Sequence, residues 1–168
     1  HIDIHGGIAT RNPEELLEIF KLLTWAKAAL TDSEYFPTAE LERALQRIAP
    51  SLRTLRHANG NLVRFQGGDQ GMEGMLDTAL AACGIKIRNS DHLTMGYARL
   101  SSGRTSVIID AGPPATGNAS YNAHASTLAF ELTSGRRPLI VSCGSGAHLG
   151  PDWHRAGRAT PSHSTLCL

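Results

Sequence analysis

The chain has 168 residues, with 16 lysines and arginines against 15 aspartates and glutamates, a formal net charge of +1, and 41% hydrophobic residues. That length suits one good core or two small ones, and the near balance of charge gives no field for a nucleic acid. Three cysteines without CxxC spacing argue against a disulfide framework and a zinc ribbon, and no apolar run approaches a membrane span.

Asn12-Pro13-Glu14-Glu15 reads as a helix start: Asn12 caps, Pro13 suits the first turn, and the two acids favour the positive end of the dipole. Leu16, Ile19, Phe20, Leu23, Ala26 and Leu30 then recur at helical spacing, which predicts a helix ending near Thr31-Asp32. Thr38 caps a second helix with Leu41, Ala44, Leu45 and Ile48 on one face, and Pro50 is expected to end or kink it. Ser51 to Arg56 can add a turn or two before Asn59-Gly60 reverses the chain. Leu62 to Phe65 is a short extended piece closed by Gly67-Gly68. A third helical stripe runs through Met72, Met75, Leu76, Ala79, Leu80 and Ala82 to a stop at Gly84.

After Asn89 the pattern changes to short strands. Met95 to Leu100 and Thr105 to Asp110 form a hairpin through residues 101–104, followed by a Pro/Gly-rich loop over 112–117. Ser126 to Leu132 and Leu139 to Val141 read as paired strands across the turn at Gly135. A long polar loop over 144–162 then leads into a last strand near the C-terminus. Helices first and antiparallel strands after give an α+β order, with helices over 1–88, strands over 89–168, and the break in polar residues 85–92. The first residues enter a motif already under way and Leu168 ends inside an apparent strand, so the sequence reads as a segment of a longer protein.

Five stretches carry a resemblance. HAxxLxFEL runs from His124 to Leu132, SGRRPLIVxCG from Ser134 to Gly144, and RATxxHSTLxL from Arg158 to Leu168; Gly6-Gly7, Arg11-Asn12-Pro13 and Arg56-His57-Ala58-Asn59-Gly60 precede them. In order and spacing this set resembles the heparinase II/III-like proteins, polysaccharide lyases in which a helical toroid precedes a β-sandwich. The resemblance implies the end of the (α/α) toroid over 1–88 and the start of the sandwich over 89–168, with a substrate cleft between them. It further implies β-elimination on a uronic-acid-containing polysaccharide, glycosaminoglycan- or alginate-like, in a bacterial periplasmic or secreted setting. The alternative is a non-catalytic carbohydrate-binding or structural protein that keeps the fold.

The resembling proteins hold zinc in the β-domain through two His and an Asp. His124 and His163 match the two His, while Ser142 stands at the Asp position with Cys143 beside it. The implied zinc set is therefore His124, His163 and Cys143 as thiolate; the alternative is two imidazoles hydrogen-bonded at a domain seam. For the chemistry the resemblance nominates His124, His57 and Glu15, with Glu15 where lyases carry a Tyr. A first-turn glutamate also serves as a capping charge, and His57 either reaches the cleft or makes a surface hydrogen bond. Arg11, Asn12 and Trp153 are the nominated contacts to an acidic polysaccharide; Trp153 is a sugar platform or a cover on a core edge.

His5-Gly6-Gly7-Ile8 departs from the Asp-Gly-Gly-His of the resembling proteins, and His148, His154 and His92 lie in loops with no assigned partner. No phosphate loop, nucleophile elbow or paired carboxylates of a glycosidase stand out. Thirteen of the 16 basic residues are Arg, whose forks suit carboxylates and sulfates, although a GC-rich genome gives the same bias. The turn at Gly135 places His124 and Cys143 at one open end of a hairpin, and the resemblance places the strand of His163 beside them, so the two imidazoles are expected to meet there facing the helices. An exposed strand edge and apolar sheet surface are expected as well.

Overall fold

The computed structural model describes residues 1–85 and 93–167. Asn12 caps α1 (Pro13–Asp32), its side chain accepting from the Glu14 and Glu15 amides at 2.9 and 3.1 Å. Helix α1 buries Leu16, Leu17 and Phe20 and packs on α2 (Ala39–Thr54), capped by Thr38, and on α3 (Met75–Ala82). Pro50 does not end α2. Its ring removes one donor inside the helix, but Leu52 and Leu55 beyond it are wholly buried, which holds the last turn in place. Side chains add bonds around the defect: Ser51 Oγ donates to the His5 carbonyl at 2.9 Å and Thr54 Oγ1 to the Pro50 carbonyl at 3.0 Å. Helix α3 begins at Met75 rather than Met72, because Gly74 takes φ +74° and breaks the pattern there, leaving Met72 exposed.

The strands β1 (Tyr97–Ser102), β2 (Thr105–Asp110), β3 (Phe130–Ser134) and β4 (Arg137–Ile140) form one antiparallel sheet in the order β1-β2-β3-β4. The architecture is α+β. The break expected over 85–92, and with it the 88/89 boundary, falls almost wholly on residues 86–92, outside the described residues. Helices and sheet share one hydrophobic cluster, in which Phe65 stacks on Tyr97 with ring centres 5.4 Å apart and Ile108 and Ala129 join Leu16, Leu45 and Leu52. No helix among the described residues is long and apolar enough to cross a membrane.

Three segments differ from the sequence expectation. Residues 126–129 form a turn: Leu128 takes φ +64°, its amide donates to the Asp110 carbonyl at 2.9 Å, and the Ala129 amide donates to Ser126 at 2.8 Å. Residues 144–162 are not an irregular loop but hold α4 (Pro151–Gly157) between 3-10 turns at Ala147–Leu149 and Thr160–Ser162. Residues 163–167 form no strand, because hydroxyls replace the ladder: Ser164 Oγ bonds the Phe130 amide at 3.1 Å and Thr165 Oγ1 the Thr127 carbonyl at 2.6 Å.

The sheet turns an unusual face inward. Ser106, Asp110, Glu131 and Thr133 are buried with Ile108, while Val107, Ile109, Phe130 and Leu132 lie half-buried on the other side. Strand β4 is exposed throughout. Such a polar inner face is stable only if each group is satisfied, and Arg11 and Asp110 supply the main pairing, a salt bridge with both partners buried. Asp110→Ala should lower unfolding free energy by about 3–5 kcal/mol in urea titration, because it leaves the Arg11 charge buried without its partner. Arg43→Ala, which removes an exposed pair with Glu40, should change it by less than about 1 kcal/mol.

Candidate functional site at the helix-sheet seam

The seam is built on Asp110. Its carboxylate accepts from the Arg11 guanidinium and, at 3.1 Å each, from Gln66 Nε2 and Ser126 Oγ. Arg11 also donates to the Met95 and Pro113 carbonyls at 2.7 and 2.6 Å and lies over the Tyr97 ring, whose hydroxyl donates to the Arg11 carbonyl at 2.7 Å. Gln66 in turn accepts from the His124 amide at 3.2 Å, so this network fixes where His124 stands. Arg11, Gln66, Met95 and Leu128 all hold positive φ, a strained backbone tolerated where surrounding contacts over-determine it.

His124 and His163 come together with ring centres 5.3 Å apart and planes tilted by 59°. Both are buried, and none of their four ring nitrogens makes a hydrogen bond among the described residues. Burial lowers the His124 pKa to about 4, helped by His163, Arg158 and His154, with the Gly157 backbone opposing. Burial lowers His163 too, against the Gly157 backbone and Asp110. Two neutral imidazoles with open nitrogens suit a metal ion, but Cys143 is exposed, and Ser142 offers only a buried hydroxyl without a partner. Among the described residues no three His, Cys, Asp or Glu cluster closely enough to hold a metal. A catalytic zinc takes three protein ligands and a structural one four, so the donor set stops short of the zinc site the resemblance implies.

The other nominated residues are held elsewhere. His57 is buried with Nε2 2.7 Å from Glu131 Oε2, and Glu131 Oε1 accepts the Arg64 and Ser142 amides at 3.1 Å each. Glu15 accepts from Thr10 Oγ1 at 2.7 Å, Asn12 spends its side chain on the α1 cap, and Arg11 serves Asp110. Trp153 is exposed on α4 beside a small apolar hollow that Cys143, His148 and Leu149 also line. His92 lies outside the described residues.

A larger open cleft of about 570 Å³ runs between the two halves of the chain. Glu14, Arg64, Asp69, Gln70 and Met72 line it from the helical side, and Val141, Ser142, Cys143 and His148 from the sheet side. Asp69 latches the walls together, its carboxylate accepting from the Ser145 amide and hydroxyl at 2.9 and 2.6 Å while its own amide donates to Glu14. Gly144 is required at that latch: a Cβ there would lie 2.1 Å from Asp69 Oδ1, and its φ is +78°. Arg64, Asp69, Gln66, Asp110 and Glu131 were not readable as site residues from periodicity. The signals for them were the glycine-punctuated polar run Arg64 to Gly71 and a charged Glu131 in mid-strand.

The histidine pair sets a pH dependence. Unfolded, an imidazole titrates near its ordinary value of about 6.5, whereas folded His124 does so near 4. Between those values the unfolded chain binds more protons, so this contribution is complete above about pH 6.5 and is lost as pH falls towards 4. Urea unfolding across that range should show the decline, and His124→Asn should flatten it. Imidazole proton shifts that titrate fully between pH 8 and 6 in the folded protein would contradict this account.

Residues 87–168 match the family model described as heparinase II/III-like, C-terminal. FtsZ-localized protein C of Caulobacter vibrioides is 36% identical over 152 residues, an alignment covering 85% of this chain and 26% of that protein. A solved heparinase III gene product superposes with a TM-score of 0.76 at 17% identity, covering 100% of this chain and 31% of that one. The chain thus spans about a quarter of the curated relative's length and under a third of the solved chain's. Its C-terminal half resembles the heparinase II/III-like C-terminal family, and the chain as a whole shares its fold with the solved heparinase III.

Proposed function

We propose that this chain forms the seam of a polysaccharide lyase that cleaves a uronic-acid-containing polymer, glycosaminoglycan- or alginate-like, by β-elimination. The observation that carries the reading is the cleft, which brings the Arg64 guanidinium and the exposed His148 imidazole into one open groove between helices and sheet. Elimination needs a cation at the uronate carboxylate, a base for the proton on the adjacent carbon, and an acid for the departing glycosidic oxygen. Arg64 has the charge and fork geometry for the carboxylate. His148 is the imidazole placed to move a proton, imidazole being the side chain whose ordinary range lies near neutrality. Buried His57, through Glu131, supports the Arg64 and Ser142 amides in the cleft wall, a positioning role. Zinc enters none of these steps.

A second reading, carbohydrate binding without turnover, is favoured by one observation: Arg11, Asn12, Glu15 and His57 are all engaged inside the protein. Turnover separates the two. The full-length protein, incubated with uronate polymers, should produce the ultraviolet absorbance of an unsaturated uronate. His148→Ala should reduce kcat by about 10²-fold or more, and Arg64→Ala should raise KM as well. Saturable polymer binding with no unsaturated product would establish the second reading, and full activity in His148→Ala would remove that residue from the mechanism.

A further inference from the structure

We propose a binding site for a tetrahedral oxyanion, a phosphate or sulfate group, in the pocket lined by Arg53, Arg56, Ala58, Arg99 and Ser101. This pocket of about 250 Å³ shares no lining residue with the larger cleft. Three guanidinium groups border it. Asp77 answers one of them directly, accepting from Arg56 Nε and Nη2 at 2.7 Å each, so Arg53 and Arg99 make no close carboxylate pair among the described residues.

The donors are already oriented. Arg56 is fixed by Asp77 and by its Nη1 bond to the His57 carbonyl at 3.0 Å. Arg99 is fixed by Nη1 bonds to the Thr54 and Arg56 carbonyls at 3.1 and 2.6 Å and by an Nε bond to Ser101 Oγ at 3.3 Å. Those carbonyls, at the end of α2, take part of the Arg99 field, yet its Nη2 makes no bond among the described residues. Arg53 is exposed and makes no hydrogen bond or close ion pair there, although its charge acts on the Asp77 carboxylate from a distance. Burial first, then the nearby Arg56 and Arg53 charges, push the Arg99 pKa down. A bound anion relieves the repulsion between these charges. The Arg53 guanidinium, the Arg99 Nη2 and the Ser101 hydroxyl, held beside the charge of Arg56, come from separate side chains and match an anion with oxygens on several sides better than a planar carboxylate, which one fork satisfies.

The test is calorimetric titration of the full chain with inorganic phosphate and with inorganic sulfate at constant ionic strength, acetate serving as the planar control. One saturable site is expected for at least one tetrahedral anion, with acetate weaker by about tenfold or more. Arg53→Gln, a change at an exposed side chain that leaves the fold intact, should weaken binding by about tenfold. Guanidinium NMR signals of Arg53 and Arg99 should shift with the same saturation. A preference for phosphate or for sulfate identifies which ester is the source, and either upholds the site. No saturable binding, acetate binding equal to both anions, or binding unaffected by Arg53→Gln would overturn it.

Discussion

Asp110 is wholly buried, and a carboxylate in that position is tolerable only when charge and hydrogen bonds replace the water it has lost. The partners come from three separate places in the sequence: Arg11 ahead of α1, Gln66 in the loop before α3, and Ser126 in the turn before β3. A single anion at the end of β2 therefore fixes how the helical half meets the sheet. The same partners dictate local backbone, since Arg11 and Gln66 reach Asp110 from residues held at positive φ. Their strain is offset by a buried ion pair that would be unsatisfied in any relaxed arrangement.

The polar inner face of the sheet follows from this constraint. Glu131 holds His57 and two amides, one from each wall of the cleft, and Ser106 meets Thr133 at 2.8 Å. Apolar packing joins the two halves near Phe65 and Tyr97, while hydrogen-bonded groups set their register elsewhere. Directional contacts of this kind specify one arrangement where apolar contacts tolerate several. The cost is that the half-buried Val107, Ile109, Phe130 and Leu132 lie on the opposite side of the sheet.

That inversion explains what the sequence could and could not tell. Helix caps at Asn12 and Thr38 and the turns at Gly60, Gly103 and Gly135 act within a few residues, and they were legible. The order of helices and strands was legible too, because hydrophobic period is a local property. Pro50 and the segment 126–129 misled, because burial of Leu52 and the pull of Asp110 on Ser126 are tertiary effects that override local preference. Helix α4 had a readable start in Gly150-Pro151-Asp152, masked by the polarity of the loop around it. Alternation in β2 and β3 revealed two faces but not which one turns inward, since that depends on distant Arg11, His57 and Gln66.

The division between scaffold and chemistry can be drawn by asking which polar groups retain unused bonding capacity. Arg11, Asn12 and Glu131 have little left, so substituting them tests folding before it tests function. The ring nitrogens of His124 and His163 have only the Gly157 backbone within reach and are closed off from solvent, and burial keeps them neutral. Capacity combined with access is found at Arg64 and His148 in the cleft and at Arg53 in the arginine pocket. A polymer cannot engage groups it cannot reach, and it gains little from groups already satisfied. On the proposed reading, recognition of an acidic chain therefore begins from Arg64, His148 and Arg53, the accessible groups with bonding capacity to spare.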